Sequence, residues 1–381
     1  MDVIAQLTAA FEKERDNNRP PRTAEDVPFT YEAITDEWLT CILCARHPGA
    51  KVIRHRLDVP DDGNSSRRRI FIDYNAQGAE AGLPSRVFCK SSQRLSSRIS
   101  LGITGAIQAE VNFYNLIRPM LDIEAPVPLF ARYNDALNSI IVMRELDSRT
   151  QFCTHTTAMT LERAQDQMRL LSRYHGKFLN SAELAASLSV FDPWPDWFSK
   201  LDYPDFEKAC DRGFEIGRSV IPDRLFARRS EIWPATRASC QTQKQLPYTL
   251  CHGDDHLRNW YICADGRMGL NDWQAAHRGH WSRDVAYAII TSLTVENRRR
   301  WEMELLRYYF DQLQTAYGRS IPFDGVVDAY RQQLMTVLAF WTITLNPAPG
   351  MPEMQPRDST LEFVHRIATA IDDLNSLDSF T

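Results

Sequence analysis

The hydrophobic period of this chain changes once, and that change constrains its fold more than any other feature. Between Lys51 and Leu146 the apolar residues fall in short runs, KVIRHRLDV, RRRIFIDYN, SRVFCK and SIIVMREL. Short β-branched and aromatic runs bounded by turn residues read as strands, and DDGNSS between the first two supplies the turn. A small antiparallel sheet is expected there. After Asp147 the pattern becomes helical for most of the remaining length, starting with TAMTLERAQDQMRLLSRYHGKFL. Strands first and helices afterwards predict an α+β chain with a boundary near residue 147.

Three segments follow from this reading: 1–27 as a helical extension and linker, 28–146 as an N-terminal lobe, and 147–381 as a larger C-terminal lobe. A charged amphipathic helix is expected from about Val3 to Arg15, before the polar linker DNNRPPRTAEDVP, and a second helix from about Asp36 to Arg46. GAIQAEVNFYNLIRPML reads as one helix with Ile107, Val111, Tyr114, Leu116 and Ile117 along one side. Within the helical part lies one β island, PYTLCHG followed by NWYICADGRMGLND, whose ADGR is a hairpin turn.

Composition excludes several functions. A net charge of −5 gives no global attraction to nucleic acid or anionic membrane, and the one basic run, Arg67 to Arg69, reads as a solvated hairpin edge. The N-terminal stretch MDVIAQLTAAFEKERD lacks the apolar core of a secretory signal, and LMTVLAFWTITL is too short to span a bilayer. The eight cysteines are spread through apolar segments, which predicts reduced, buried thiols and a cytoplasmic location. Cys41 and Cys44 form a CxxC without a second pair, so they are read as core residues.

The β island carries the chemistry. In CHGDDHLRNWYIC two histidines and two aspartates sit in a loop between strands, and a hairpin then leads to Asp272. Such a cluster can be a metal-ligand set, a catalytic loop or polar punctuation. Oxygen donors suit a hard cation, and Mg²⁺ takes one or two protein carboxylate or amide ligands when phosphate oxygens supply the rest. Asn259 and Asp272 suffice for that, which leaves Asp254 to accept a hydroxyl proton.

The order and spacing of HGDDHLRN and then DWQAAHRGHWSRDVAYAI resemble the aminoglycoside phosphotransferase and choline kinase superfamily, and within it the ecdysteroid-kinase-like branch. The resemblance runs from about Phe29 to Leu293. It implies a two-lobed protein-kinase-like fold, with a small N-terminal antiparallel β lobe carrying an αC-type helix and a larger, mostly helical C-terminal lobe. It also implies ATP and Mg²⁺ as cofactors, Asp254 as catalytic base, and Asn259 and Asp272 as metal ligands. Lys90 at the end of RVFCK and Glu110 in QAEVNFY stand where such a fold needs a phosphate-binding Lys and its partner. The turn carrying Gly63, Asn64, Ser65 and Ser66 stands where the phosphate-covering loop belongs, and its single glycine departs from the protein-kinase pattern. Backbone of Met143 to Glu145 is expected to read the purine edge.

The same reading assigns His252 to structure and Asp284 to anchoring the loop from a helix N-terminus. His256 is either a phosphate-neutralising cation or a loop-ordering group. Asp255, Arg258 and Gln274 are further candidates for contact with phosphate or acceptor. FDPWPDWF, with Trp194 and Trp197, either floors an apolar acceptor pocket or packs a loop on the helical lobe. The partner is thus a small-molecule hydroxyl acceptor, for which the resemblance favours a steroid- or terpenoid-like compound. A metal-dependent phosphoesterase is the first rival, but His277, His280 and His365 are too scattered to complete a two-metal site. The other rivals are a non-catalytic nucleotide-binding module, which would have lost Lys90, Asp254 or Asp272, and a protein kinase, which needs a longer segment between DWQ and RDVAY.

Overall fold

The computed structural model describes residues 3–186, 188–201, 205–347 and 354–380. The chain forms two compact units. One reaches Met120 and resumes over Pro126–Asp147; the other takes Leu121–Ala125 and continues from Ser148.

The first unit is built on an antiparallel sheet of β1 (Val52–Leu57), β2 (Asp61–Asp62), β3 (Ser66–Tyr74), β4 (Arg86–Ser91), β5 (Pro128–Tyr133) and β6 (Ser139–Arg144), in the order β1-β3-β4-β6-β5 with β2 paired to β3. Alternation along β4 sends Val87 and Cys89 into a core with Trp38, Leu39, Ile70, Ile72 and Val142. Trp38 and Leu39 come from the helix Asp36–Leu43, which starts where Thr35 accepts a hydrogen bond from Trp38 N at 3.0 Å. Because side chains alternate across a strand, Lys90 faces away from Val87 and Cys89, and it meets Glu110 of the helix Ala106–Asn112. The N-terminal helix Val3–Asp16 belongs to this unit, with Glu14 ion-paired to the buried guanidinium of Arg98.

The helix expected over 105–121 is not uniform. After Asn112 it widens into a π-turn over Phe113–Ile117 and tightens into a 3₁₀ turn at Arg118–Met120. The wider turn buries Phe113, Tyr114 and Ile117 together, and Pro119 cannot donate to a continuing helix. Strand β5 and the helix Leu95–Ile103 were not legible in the sequence.

The second unit is mainly helical. Two of its long helices, Leu161–Phe178 and Val295–Tyr317, pack along each other, and Gly176 permits the approach: a Cβ there would lie 2.6 Å from Ala316 Cβ and 2.8 Å from Tyr317 N. Into the helices are set two small sheets. One joins β7 (Gln151–Phe152) to β9 (Trp260–Ile262) and β10 (Met268–Leu270); the other pairs β8 (Thr249–Cys251) with β11 (His277–Gly279). The segment Leu121–Ala125 is fastened here by Glu124, whose carbonyl accepts from Leu270 N at 3.0 Å and whose carboxylate accepts from Tyr261 Oη at 3.1 Å. Among the described residues no helix is long and apolar enough to cross a membrane. The eight cysteines form no disulfide, with Cys44 buried and Cys41 half-buried in the first unit.

Candidate active site

The loop between β8 and β9 begins with a backbone conformation that only glycine adopts without strain. Gly253 has φ +82°, and a Cβ on it would lie 2.5 Å from Ala275 O. The tight passage is held from below by Asp284, in the first turn of the helix Ser282–Ser292. Its carboxylate accepts from His252 N at 2.6 Å, Gly253 N at 2.9 Å, Tyr174 Oη at 2.9 Å and His175 Nε2 at 3.2 Å. Burial alone would raise its pKa; the hydrogen bond from His175, with the other donors, holds it below the usual carboxylate range instead.

His252 ties the loop to the segment that carries Asp272. Its Nδ1 accepts from Asp254 N at 3.2 Å, so the proton sits on Nε2 and is donated to Asn271 O at 2.9 Å. Asn271 answers with N and Nδ2 donated to Asn259 O at 2.9 and 2.7 Å. His252 is therefore a structural bridge, as expected. Asp272 itself has φ +65°, an uncommon left-handed conformation for a residue with a Cβ.

These constraints bring Asp254, Asn259 and Asp272 together. Asp254 accepts from Tyr287 Oη at 3.1 Å, and Asn259 Nδ2 lies 2.7 Å from Asp254 O and 3.4 Å from its Oδ2. Burial, and then the negative charge of Asp272, push the Asp254 carboxyl up to about 7, although its side chain keeps 30% exposure and remains open to a substrate. Two carboxylates repelling each other beside an amide oxygen are a donor set that fits a hard divalent cation. With Nδ2 of Asn259 committed to Asp254, its Oδ1 is the atom left for such an ion.

His256 is nearly buried, its Nδ1 accepts from Arg258 N at 3.2 Å, and burial lowers its pKa to about 3. Of the two readings of His256, the loop-ordering one fits this burial and hydrogen bond. Asp255 is wholly buried and out of reach of a ligand; burial, then repulsion from Asp284, raise its pKa well above the usual range. Arg258 donates to Ser359 Oγ at 3.1 Å, and Gln274 is half-buried beyond Asp272. Trp194, Trp197 and Phe198 lie in a core with Phe206, Trp233 and Ile343, which favours the packing role of FDPWPDWF.

Two supporting residues were missed in the sequence. Tyr287, which donates to Asp254, is the Tyr of the RDVAY stretch, one helical turn beyond Asp284 and therefore on the same face. Arg283 is fully buried between the rings of Trp194, Tyr287 and Phe340, and its Nη2 reaches Gly253 O at 3.3 Å. Among the described residues one cluster has metal-ligand spacing, His175, Cys251 and Asp284. Burial raises the Cys251 thiol well above its usual pKa, and His175 is engaged by Asp284 and by Tyr309 Oη at 2.8 Å, so the cluster is a buried prop for the loop.

In the first unit Lys90 Nζ lies 2.9 and 2.8 Å from the two oxygens of Glu110, both side chains being nearly buried. Gly63 is exposed and Asn64 half-buried at the turn between β2 and β3, with Gly63 N donating to Ser65 O at 3.0 Å. Ser65 and Ser66 are buried, and Ser66 opens β3, where its carbonyl accepts from Tyr31 Oη at 2.8 Å. The Ser66 side chain therefore belongs to the sheet and not to a flexible loop. Met143 pairs with Phe88 on one side and Pro128 on the other inside the sheet. Glu145, just past β6, has its carboxylate between Arg69 at 2.5 Å and Arg86 at 3.2 Å.

Residues 153–323 match the model of the phosphotransferase enzyme family. By this match the segment that carries the loop network is that of a phosphotransferase. The match takes in every element of the loop network from Leu161 to Tyr309 and stops short of the last two long helices. Among solved structures, a microcompartment-associated aminopropanol kinase has a TM-score of 0.50 at 11% identity, over 85% of this chain and 94% of its own. That likeness places the chain on the kinase-like fold expected from the sequence. The choline kinase LicA from Streptococcus pneumoniae (TM-score 0.46, 13% identity, 84% and 94% covered) and an aminoglycoside phosphotransferase from Streptomyces rimosus (0.41, 17%, 79% and 96%) are also similar. No curated protein sequence matches.

Proposed function

We propose that this protein is an ATP-dependent small-molecule kinase that transfers the γ-phosphoryl group to a hydroxyl of its acceptor. The observation that carries the reading is the convergence of Asp254, Asn259 and Asp272 at the end of one over-determined loop. Asp254 accepts the hydrogen of the acceptor hydroxyl, oriented by Tyr287 and Asn259. Asn259 Oδ1 and the Asp272 carboxylate would hold Mg²⁺, which supplies charge neutralisation at the phosphate oxygens. Lys90, fixed by Glu110, binds α- and β-phosphate oxygens, and the turn at exposed Gly63 and half-buried Asn64 is the segment that covers them. Catalysis on this account is positioning and electrostatics, with no covalent intermediate on the protein.

The acceptor proposed is a small hydroxylated compound of steroid- or terpenoid-like type. Its support is the resemblance of DWQAAHRGHWSRDVAYAI to the ecdysteroid-kinase-like branch; the aromatic run around Trp194, being core, lends none. A cytoplasmic location is proposed from the spread of the cysteines through apolar segments. The test is a screen of the purified full chain with γ-labelled ATP and Mg²⁺ against hydroxylated steroids, terpenoids, amino alcohols and sugars. Transfer to at least one compound, abolished in Asp254→Asn, is expected; no transfer to any class would sink the kinase reading.

A further inference from the structure

The second unit contains a cavity of about 810 Å³ that none of Asp254, Asn259 and Asp272 lines. It opens beyond the C-terminal end of the helix Ser282–Ser292, between the loop that follows β7 and the helix Arg357–Asp373. Its volume is that of a small-molecule site. Its wall is joined to the catalytic loop by short polar links. Arg366, which lines it, donates from Nη1 to Thr291 O at 2.6 Å and from Nη2 to His155 O at 2.8 Å. Thr291 Oγ1 accepts from Leu257 N at 3.1 Å, while Arg258 reaches Ser359 Oγ, itself 2.7 Å from His155 Nδ1.

The lining defines the chemistry of an occupant. Five hydroxyl residues share the polar side with Asn297, two imidazoles and three charged side chains, and one of the hydroxyls, Ser292 Oγ, is shut off from solvent without a hydrogen-bond partner. An unpaired buried hydroxyl is costly, and a ligand hydroxyl offsets that cost. Charge does not select an anion, since the carboxylates of Asp358 and Glu362 face the single guanidinium of Arg366. Met159, Val220 and Leu361 give an apolar strip against which a carbon skeleton can lie. We propose that this cavity is a second small-molecule site, for a neutral compound rich in hydroxyl groups, whose occupancy is felt by the catalytic loop through Arg366 and Arg258. Binding there is independent of phosphoryl transfer, and only its effect on turnover rests on the proposed kinase activity.

Two sources share this chemistry, the far end of a long acceptor and a separate effector. The experiment is a thermal-shift titration of the full chain with myo-inositol and with D-glucose, each at concentrations too low for general osmolyte stabilisation. At ten times Kd a shift of about 3 °C or more is expected for at least one probe in the wild type. It should be reduced in Ser292→Ala and absent in Leu361→Trp, which fills the cavity, or in Ala158→Phe if the first variant does not fold. No shift with either probe, or an undiminished shift in the filled variants, overturns the proposal. The shift with MgATP, measured on the same wild-type protein, reports on the kinase reading separately. With an acceptor from the screen in hand, a KM raised about tenfold or more in Leu361→Trp identifies the acceptor's far end; an unchanged KM identifies an effector.

Discussion

The catalytic loop of the second unit and the phosphate turn of the first are both short connections between strands, yet they are held in opposite ways. Around Asp254 the loop is tied from several sides: Asp284 takes the N–H groups of His252 and Gly253, His252 bridges to Asn271, and Asn259 closes back on Asp254. The turn at Gly63 and Asn64 is exposed to half-buried, with one bond inside it and a second from Arg94 to Gly63 O. Under the proposed function, the group that accepts a proton at a fixed angle sits in the heavily bonded loop and the segment that follows a nucleotide in and out is the lightly tied one.

The largest way to break this contrast is Asp284→Ala. It leaves four buried donors without their acceptor, so urea unfolding should register a loss of roughly 3–5 kcal/mol, with turnover falling alongside. A loss under about 1 kcal/mol would mean that the loop supports itself. Because the native pKa of Asp284 is depressed, its contribution is present above the ordinary Asp value and disappears as pH falls through the lowered one.

Asp254→Asn should act on chemistry and not on binding, with kcat down ~100-fold or more and the MgATP-induced melting shift unchanged. A remaining kcat above about a tenth of wild type contradicts the base assignment. The same variant has a stability signature. The native Asp254 pKa is raised to about 7, so its contribution is fully present below the unfolded value and is lost as pH rises through 7. The melting temperature of Asp254→Asn relative to wild type should therefore climb between pH 4 and pH 8; a flat difference would show that Asp254 titrates normally.

A smaller effect is expected in the first unit. Lys90→Ala should raise the ATP KM by ~10–100-fold, the worth of a hydrogen bond between charged groups, while leaving acceptor KM alone. Equal loss for both substrates would point to a folding defect in the sheet. The smallest change is Asn64→Ala, for which about twofold in ATP KM is expected from a lightly held surface turn. A tenfold change would show that the turn is organised as tightly as the loop, and the contrast would fail.

How much of this was legible depended on whether chemistry or packing set the residue. HGDDHLRN, DWQ and RDVAY announce the loop, the ligand pair and its anchor because a left-handed glycine, oxygen donors and a helix-start carboxylate leave residue-type signatures. Lys90 and Glu110 were singled out through the family resemblance, and strand alternation then explains why their side chains meet. Tyr287 was readable from its one-turn spacing to Asp284 and was passed over. Strand β5 was hidden because PLFARY is only partly buried along its length, at an edge of the sheet, and begins with Pro. The helix Leu95–Ile103 was hidden by its serines, since it buries Ser97 and Arg98 rather than an apolar stripe. The titration of His256 and the raised pKa of Asp255 depend on neighbours far away in the chain, which no local pattern records.

The segment Leu121–Ala125 sets a limit on how this chain can be cut. A fragment beginning at Ser148 contains every residue of the loop and still lacks the acceptors for Leu270 N and Tyr261 Oη, and the carboxylate 3.3 Å from Arg267. The strands thus unsealed, β9 and β10, flank Asn259 and lead into Asp272. Expression of residues 148–381 alone should yield a folding-impaired product unless a peptide spanning 121–125 is returned to it, so a fragment-complementation assay would read out the integrity of the strands beside Asn259 and Asp272 from a stretch of chain outside the loop.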